Sequence, residues 1–89
     1  MSNALMEAMA SGLSVITTDI AENRELVKHE KNGILIPPKN TDALARAIER
    51  LFFDPVFHDH LGDVARASVK NRFDFPIIIE KMREFLERI

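Results

Sequence analysis

The chain has 89 residues, near the lower limit for a domain that folds unaided, so it holds one domain at most. Hydrophobic residues make up 46% and charged residues 29%, a balance typical of a globular protein and not of a disordered one. The net charge of -2 argues against nucleic acid as a partner, and the absence of cysteine excludes disulfides and thiolate metal sites.

The three histidines do not form a metal-binding pattern. His58 and His60 are two residues apart, and positions at that spacing do not share a helical face. We therefore expect no metal and no cofactor. No apolar run approaches the roughly 20 residues that span a bilayer, and the first residues lack the layout of a signal peptide, so the sequence predicts a cytoplasmic protein.

The first half of the chain alternates predicted helices with predicted strands. Good helix formers favour helices over residues 2–11 and 22–29. Apolar and β-branched runs predict strands over residues 13–18 and 33–36, of the kind buried in a parallel sheet. One helical crossover thus separates two parallel strands.

Small and polar residues mark the ends of these elements. Ser2 and Asn3 are candidate caps for the first helix. Gly12 and Gly33 each follow a predicted helix and precede a strand, the place where a left-handed glycine commonly ends a helix. We expect both glycines to take that conformation.

The second half of the chain is predicted to be helical. A helix capped by Thr41 and Asp42 carries apolar residues at helical spacing, which predicts one buried stripe made of Leu44, Ile48, Leu51 and Phe52. A fourth helix is predicted over residues 56–70, with Gly62 as a local weakness. A last amphipathic helix is predicted over residues 76–88.

This order of elements predicts an α/β fold with two short parallel strands, about five helices and a helical C-terminal half. A parallel strand buried on both faces needs neighbours at both edges, so two strands make an incomplete sheet. We interpret residues 1–89 as a single partial domain, the C-terminal portion of a larger α/β unit. The other strands are expected upstream, or from a second copy of the chain.

Five stretches of the chain form a specific pattern together. In chain order they are NALMEAMASGLSVI at residues 3–16, TD and ELV at 18–19 and 25–27, NGILIPP at 32–38, and DALARAI at 42–48. Their order and spacing resemble the donor-site region of GT-B retaining glycosyltransferases of the group 1 type. The likeness runs from Asn3 to about Phe73. It implies part of a Rossmann-like, nucleotide-sugar-binding domain.

The resemblance implies an enzyme that transfers a sugar from a nucleotide-diphosphate-sugar donor, of the UDP- or GDP-sugar type, to an acceptor hydroxyl with retention. Two glutamates act at the donor site of this family. Glu7 matches the one that holds the ribose hydroxyls, and its partner would precede Met1. The family's acceptor-binding N-terminal domain and its diphosphate-stabilising basic residues are not matched here. The chain is therefore predicted to be a fragment that is inactive alone and has no catalytic residue.

The opening helix suits the implied role on physical grounds. Asn3, Ala4 and Leu5 place backbone amides at the positive end of a helix dipole, where a diphosphate binds well. Glu7, one turn later, can accept hydrogen bonds from two ribose hydroxyls. A glutamate on a terminal helix is more often simply solvated, and only the downstream match favours the donor role.

Two further acidic residues are candidates for the site. Asp19 ends a predicted strand, where open α/β sheets bind ligands. The family often has glycine in the loop that follows, and residues 20–23 contain none, which leaves contacts between this loop and the donor open. Glu25 matches a glutamate of the family, although a glutamate in the first turn of a helix more often serves the helix dipole.

An alternative function is a non-catalytic module that folds and self-associates without binding nucleotide. Its homodimer would form through exposed strand edges or through the last amphipathic helix. A small receiver-like signalling domain is a third hypothesis, but such a domain needs about five strands and two are predicted.

Overall fold

The computed structural model of the protein describes residues 3–72, 83–84 and 86–87. The elements in these ranges are, in chain order, α1 (Asn3–Ala10), β1 (Ile16–Thr18), α2 (Ala21–Arg24), β2 (Ile34–Ile36), α3 (Thr41–Phe53) and α4 (Pro55–Arg72). Strands β1 and β2 pair in parallel, with Ile16 opposite Ile34. The α/β class and the two parallel strands are confirmed.

The number of helices differs from the prediction of about five. Four helices are given bounds in the described part of the chain, and most of the helix predicted over residues 76–88 lies outside that part. Both strands are also shorter than predicted, with three residues each. The predicted strand that began at residue 13 is an irregular segment as far as residue 15.

The helix predicted over residues 22–29 is wrong in length, because α2 ends at Arg24. The buried side chain of Asn32 accounts for the early end. Its Oδ1 accepts the N–H of Lys28 at 2.7 Å, and its Nδ2 donates to the carbonyl of Leu26 at 3.0 Å. These backbone groups therefore bond to Asn32 and not to a continued helix.

Two apolar clusters hold the elements together. The first joins α1 and α4 to the segment after α2 and contains Met9, Ala10, Val15, Leu26, Val27, Ala65 and Val69. The second joins β2, α3 and α4 through Ile34, Ala47, Leu51 and Leu61. Met9, Leu61 and Val69 are fully buried, and each such side chain stabilises the fold by roughly 1.5–3 kcal/mol. The opening helix is therefore anchored on α4.

The end of α1 is a Schellman motif at Gly12. The N–H of Leu13 donates to the carbonyl of Ala8 at 3.1 Å, and the N–H of Gly12 donates to that of Met9 at 3.0 Å. Gly12 has φ of +78°. The predicted left-handed glycine is confirmed at this position.

The other two glycines are required for close packing, which corrects two expectations. Gly33 is not left-handed, and a Cβ there would lie 2.8 Å from Val15 and 2.9 Å from Val27. Gly62 is not a local weakness. A Cβ on it would lie 2.3 Å from the carbonyl oxygen of Gly12, so this glycine lets α4 approach the end of α1.

The predicted apolar stripe of α3 is wrong in part. Leu51 is buried as expected, together with Ala47. The other three members of the stripe are exposed: Leu44 by 39%, Ile48 by 54% and Phe52 by 76%. Because consecutive helical residues are rotated by about 100°, a helix that packs through the row of Ala47 and Leu51 leaves the neighbouring row outside.

Candidate functional site

The amino end of α1 is the first part of the candidate site. The helix begins at Asn3, so the amides of Asn3 and Ala4 lie at its positive end. Met9 and Ala10 are buried in the first cluster, whereas Ala4 and Glu7 are exposed on the opposite side. Burial of one face therefore orients the helix and leaves the carboxylate of Glu7 in solvent.

The loop after β1 is the second part. Nε of Arg24 donates to Oδ1 of Asp19 at 2.6 Å, and both side chains are about half exposed. The N–H of Asp19 donates to the carbonyl of Ile36 at 2.7 Å. This bond extends the strand ladder, so the Asp19 backbone is fixed at the carboxyl end of the sheet.

Asn23 holds the same loop in place, although the sequence pattern indicates no individual role for it. It is buried, and its Nδ2 donates to Oγ1 of Thr17 at 3.1 Å and to the carbonyl of Thr18 at 2.9 Å. Asparagine commonly bonds to nearby backbone in turns, and its place soon after a strand was the available signal. The position of Asn23 in the sequence does not indicate which groups its side chain bonds to.

The chain reverses direction between these two parts. Residues 11–15 join α1 to β1, and the Schellman turn at Gly12 reverses the chain between them.

Two predicted site residues are placed differently from expectation. Glu25 is the C-cap residue of α2 and not a first-turn residue, so the interpretation as a helix-dipole partner is wrong. Leu5 is half-buried against the first cluster. Both residues already take part in polar or electrostatic interactions within the molecule.

Two open grooves occur elsewhere on the surface. One, of about 310 Å³, is lined by Gly12, Leu13, Ser14, His58, Asp59 and Asp63. The other, of about 270 Å³, lies between β2 and α3. Neither groove is lined by Glu7 or Asp19, so the candidate site is an exposed surface at the ends of the elements.

A charged cluster lies at the amino end of β2. A terminal nitrogen of Arg50 donates to Oε1 of Glu30, and the guanidinium carbon lies 3.9 Å from the ring centroid of Phe57. The hydrogen bond from Arg50 lowers the pKa of Glu30, and the positive charge of Arg50 acts in the same direction. This cluster ties the turn before β2 to α3 and α4, away from the carboxyl ends of the strands.

The described ranges contain no trio of His, Asp or Glu side chains arranged to hold a metal ion. Over the same residues, no helix combines the length and the apolar character that crossing a bilayer requires.

Comparison with known sequences gives consistent matches. Residues 1–54 match the family model described as glycosyl transferases group 1. An uncharacterized glycosyltransferase of Methanocaldococcus jannaschii is 32% identical over 76 residues, covering 85% of this chain and 20% of that protein. The amylovoran biosynthesis glycosyltransferase AmsK of Erwinia amylovora is 36% identical over 86 residues, covering 97% and 21%. The chain thus spans about a fifth of the length of these relatives.

Solved structures with the same fold are also larger proteins. Sucrose-phosphate synthase from Thermosynechococcus elongatus superposes with a TM-score of 0.80 at 32% identity, covering 99% of this chain and 22% of that one. Anabaena HepE in complex with UDP superposes with a TM-score of 0.81 at 28% identity, covering 100% and 24%. HepE has also been solved with UDP-glucose.

Proposed function

The chain belongs to the group 1 glycosyltransferases, and we propose that it forms part of the donor-nucleotide site of a sugar-transferring enzyme. The donor is a nucleotide-diphosphate-sugar of the UDP- or GDP-sugar type. Binding of UDP and UDP-glucose by HepE, whose fold this chain shares, supports that class of donor. The reaction proposed for the intact protein is transfer to an acceptor hydroxyl with retention, as the sequence resemblance implies.

The observation that carries the proposal is the exposed carboxylate of Glu7 one turn into α1. The helix dipole and the amides of Asn3 and Ala4 favour a diphosphate at the amino end of α1. A nucleotide seated there places its ribose within reach of the next turn. Glu7 then accepts hydrogen bonds from the ribose hydroxyls. Leu5 supports this turn by packing on the core, and we assign it a smaller part in direct contact.

Asp19 and Glu25 have secondary roles in this proposal. The carboxylate of Asp19 is engaged by Arg24, so Asp19 acts on the donor through the arrangement of the loop. Glu25 lies six residues after the end of the ladder at Asp19 and stays a candidate for contact with the sugar. Its own interaction within the molecule competes with such a contact.

We propose that the 89 residues alone transfer no sugar. Transfer requires donor and acceptor to be oriented together in one cleft. In this proposal the chain supplies the donor side, and an N-terminal domain of the intact enzyme supplies the acceptor side. Sugar transfer by the purified chain would contradict it.

Self-association through strand edges is the second candidate function, and the structure restricts how it could occur. At the outer side of β2, the N–H of Leu35 donates to Nδ1 of His29 at 3.1 Å, and the carbonyl of Gly33 accepts from Glu30 at 2.8 Å. Pro37 then has no N–H to offer. A dimer of this kind would use the outer edge of β1, and light scattering of the purified chain tests for it.

The donor proposal is tested by adding UDP and GDP to the ¹⁵N-labelled chain and following backbone amide shifts. We expect the largest changes at Ala4, Glu7 and residues 19–25, with α3 unaffected. Uridine, which lacks the diphosphate, serves as the comparison ligand. If neither nucleotide shifts any of these resonances at millimolar concentration, the donor proposal is wrong and the non-catalytic alternative gains support.

A further inference from the structure

One face of α3 presents a continuous apolar row to solvent. Leu44, Ile48 and Phe52 follow one another at intervals of four residues, so their side chains form one ridge along the helix. Phe53 extends this ridge, because its ring centroid lies 5.0 Å from that of Phe52 in an edge-to-face arrangement. Phe53 is 77% exposed, about as much as Phe52. These four residues are the α3 ridge.

The helix is already anchored through a different apolar row. Ala47 and Leu51 are buried in the second cluster, where α3 meets β2 and α4. The core formed by the described residues therefore does not use the α3 ridge. Apolar residues on a monomer surface are usually scattered singly, whereas a continuous patch marks a contact with another molecule.

The area of the α3 ridge suits one half of a dimer interface. A phenylalanine buries roughly 150–250 Å² and a leucine or isoleucine roughly 60–120 Å² of apolar surface. With the exposed fractions of its four side chains, the ridge offers roughly 300–500 Å². Since about 57% of an interface is apolar, a contact centred on the ridge covers roughly 500–900 Å² per copy. Stable dimers bury roughly 600–1,000 Å² per partner, which is the same range.

The shape of the α3 ridge allows it to pack against a second copy of itself. Residues four apart form the ridges that interdigitate in the commonest class of helix packing, with axes that cross at about 50°. The row beside the ridge contains Ala45, whose small exposed side chain leaves a groove for the ridge of another helix. A two-fold axis near Ile48 brings Leu44 of each copy toward Phe52 of the other. The net charge of -2 gives little repulsion between the copies.

We propose that the chain forms a two-fold symmetric homodimer in which the α3 ridges of two copies pack against each other. The partner is a second copy of this chain. The interface lies on α3 and not on a strand edge or on the helix predicted over residues 76–88. The proposal is independent of the donor function, because no residue of the α3 ridge belongs to the candidate donor site.

The mass of the purified 89-residue chain in sedimentation equilibrium tests the proposal. We expect a mass that rises with concentration from 10.1 kDa toward twice that value. Ile48→Glu places a charge at the centre of the contact and should weaken association about a hundredfold or more, because a buried charge without a partner is costly. Phe53→Ser removes an aromatic anchor and should weaken it about tenfold or more. Leu13→Glu, at an apolar residue that is 57% exposed outside α3, is the matched control and should leave association unchanged.

The wild-type chain gives two further readouts that need no variant. Its unfolding midpoint should rise with protein concentration, because association stabilises the folded state by mass action. The amide resonances of the α3 ridge should shift on dilution of the ¹⁵N-labelled chain, whereas those of α1 should not.

Two outcomes would overturn the proposal. A wild-type chain that stays at 10.1 kDa up to millimolar concentration shows that the α3 ridge does not bind its own copy and assigns it to another part of the intact enzyme. A dimer that persists unchanged in both Ile48→Glu and Phe53→Ser shows that another surface, such as the outer edge of β1, holds the copies together. Neither result bears on the donor proposal, which UDP binding tests separately.

Discussion

The side chain of Asn32 donates a hydrogen bond to Oγ of Ser68 on α4, 36 residues later, at 3.1 Å. The same amide also bonds to the backbone at Leu26 and Lys28, and Asn32 is only 5% exposed. Ser68 completes the network by donating to the carbonyl of Val64 at 2.8 Å. One buried amide thus fixes the turn after α2 against the longest helix.

Replacing Asn32 by alanine should therefore destabilise the chain strongly. The change leaves the buried carbonyl of Leu26 and the part-buried N–H of Lys28 without their partner, and each such group costs about 1–3 kcal/mol. We expect the free energy of unfolding to fall by about 2–4 kcal/mol, measured by urea denaturation. Asn71→Ala, at an exposed position of α4, is the matched control and should change it by less than about 0.5 kcal/mol. Equal effects of the two variants would contradict the role given to Asn32.

The substitution Gly62→Ala tests the contact between α4 and the end of α1. In an ordinary helix interior, alanine in place of glycine stabilises by about 1 kcal/mol. Here the added Cβ would lie 2.3 Å from the carbonyl oxygen of Gly12, which forces the two elements apart. We expect a net destabilisation of about 1–3 kcal/mol, measured as a lowered midpoint of thermal or urea unfolding.

Ala67→Gly in the exposed part of the same helix is the control for Gly62. It should cost about 1 kcal/mol through helix propensity alone. A gain in stability from Gly62→Ala would show that the close approach to Gly12 is not present in solution.

The ion pair of Glu30 and Arg50 predicts a dependence of stability on pH. The hydrogen bond and then the charge of Arg50 lower the pKa of Glu30 from its ordinary value of 4.5. A carboxylate with a lower pKa in the folded state stabilises the fold fully above its unfolded pKa, and this contribution is lost as the pH falls through the folded pKa. We expect Glu30→Gln to lower the free energy of unfolding at neutral pH but not well below pH 4.5.

Urea denaturation of wild type and Glu30→Gln across this pH range measures the difference. Glu49→Gln, an exposed carboxylate on α3, is the control and should show a smaller pH-dependent difference. A difference for Glu30→Gln that stays constant from neutral to acid pH would rule out the linkage to Arg50.

The parts of the fold that sequence predicts well are set by local chemistry. Gly12 ends α1 because only a left-handed residue closes the Schellman motif. α3 begins close to its predicted start, although its N-cap is Asn40 and not the predicted Thr41. The parts that it misses depend on residues far apart in the chain. The early end of α2 is set by Asn32, and the outward row of Leu44 on α3 follows from which face meets β2.

The same division applies to the candidate site. The motif placed Glu7 on the opening helix and Asp19 at the end of β1, and the structure has both there. The pairing of Asp19 with Arg24 and the bonds of Asn23 were not predictable. They depend on the path of a short loop, which sequence patterns define poorly in the absence of glycine or proline.

The last prediction concerns the proposed contact between Glu7 and the ribose of the donor. If its carboxylate accepts hydrogen bonds from the ribose, Glu7→Gln should weaken UDP binding by about tenfold or more, because charged acceptors form the stronger bonds. Binding of 2′,3′-dideoxy-UDP should be weak in both proteins and nearly unaffected by the change, since the ligand lacks the hydroxyls that Glu7 contacts. Amide shifts at residues 4–7 measure all four affinities. A loss of equal size for both nucleotides would mean that Glu7 acts on α1 or on the diphosphate and not on the ribose.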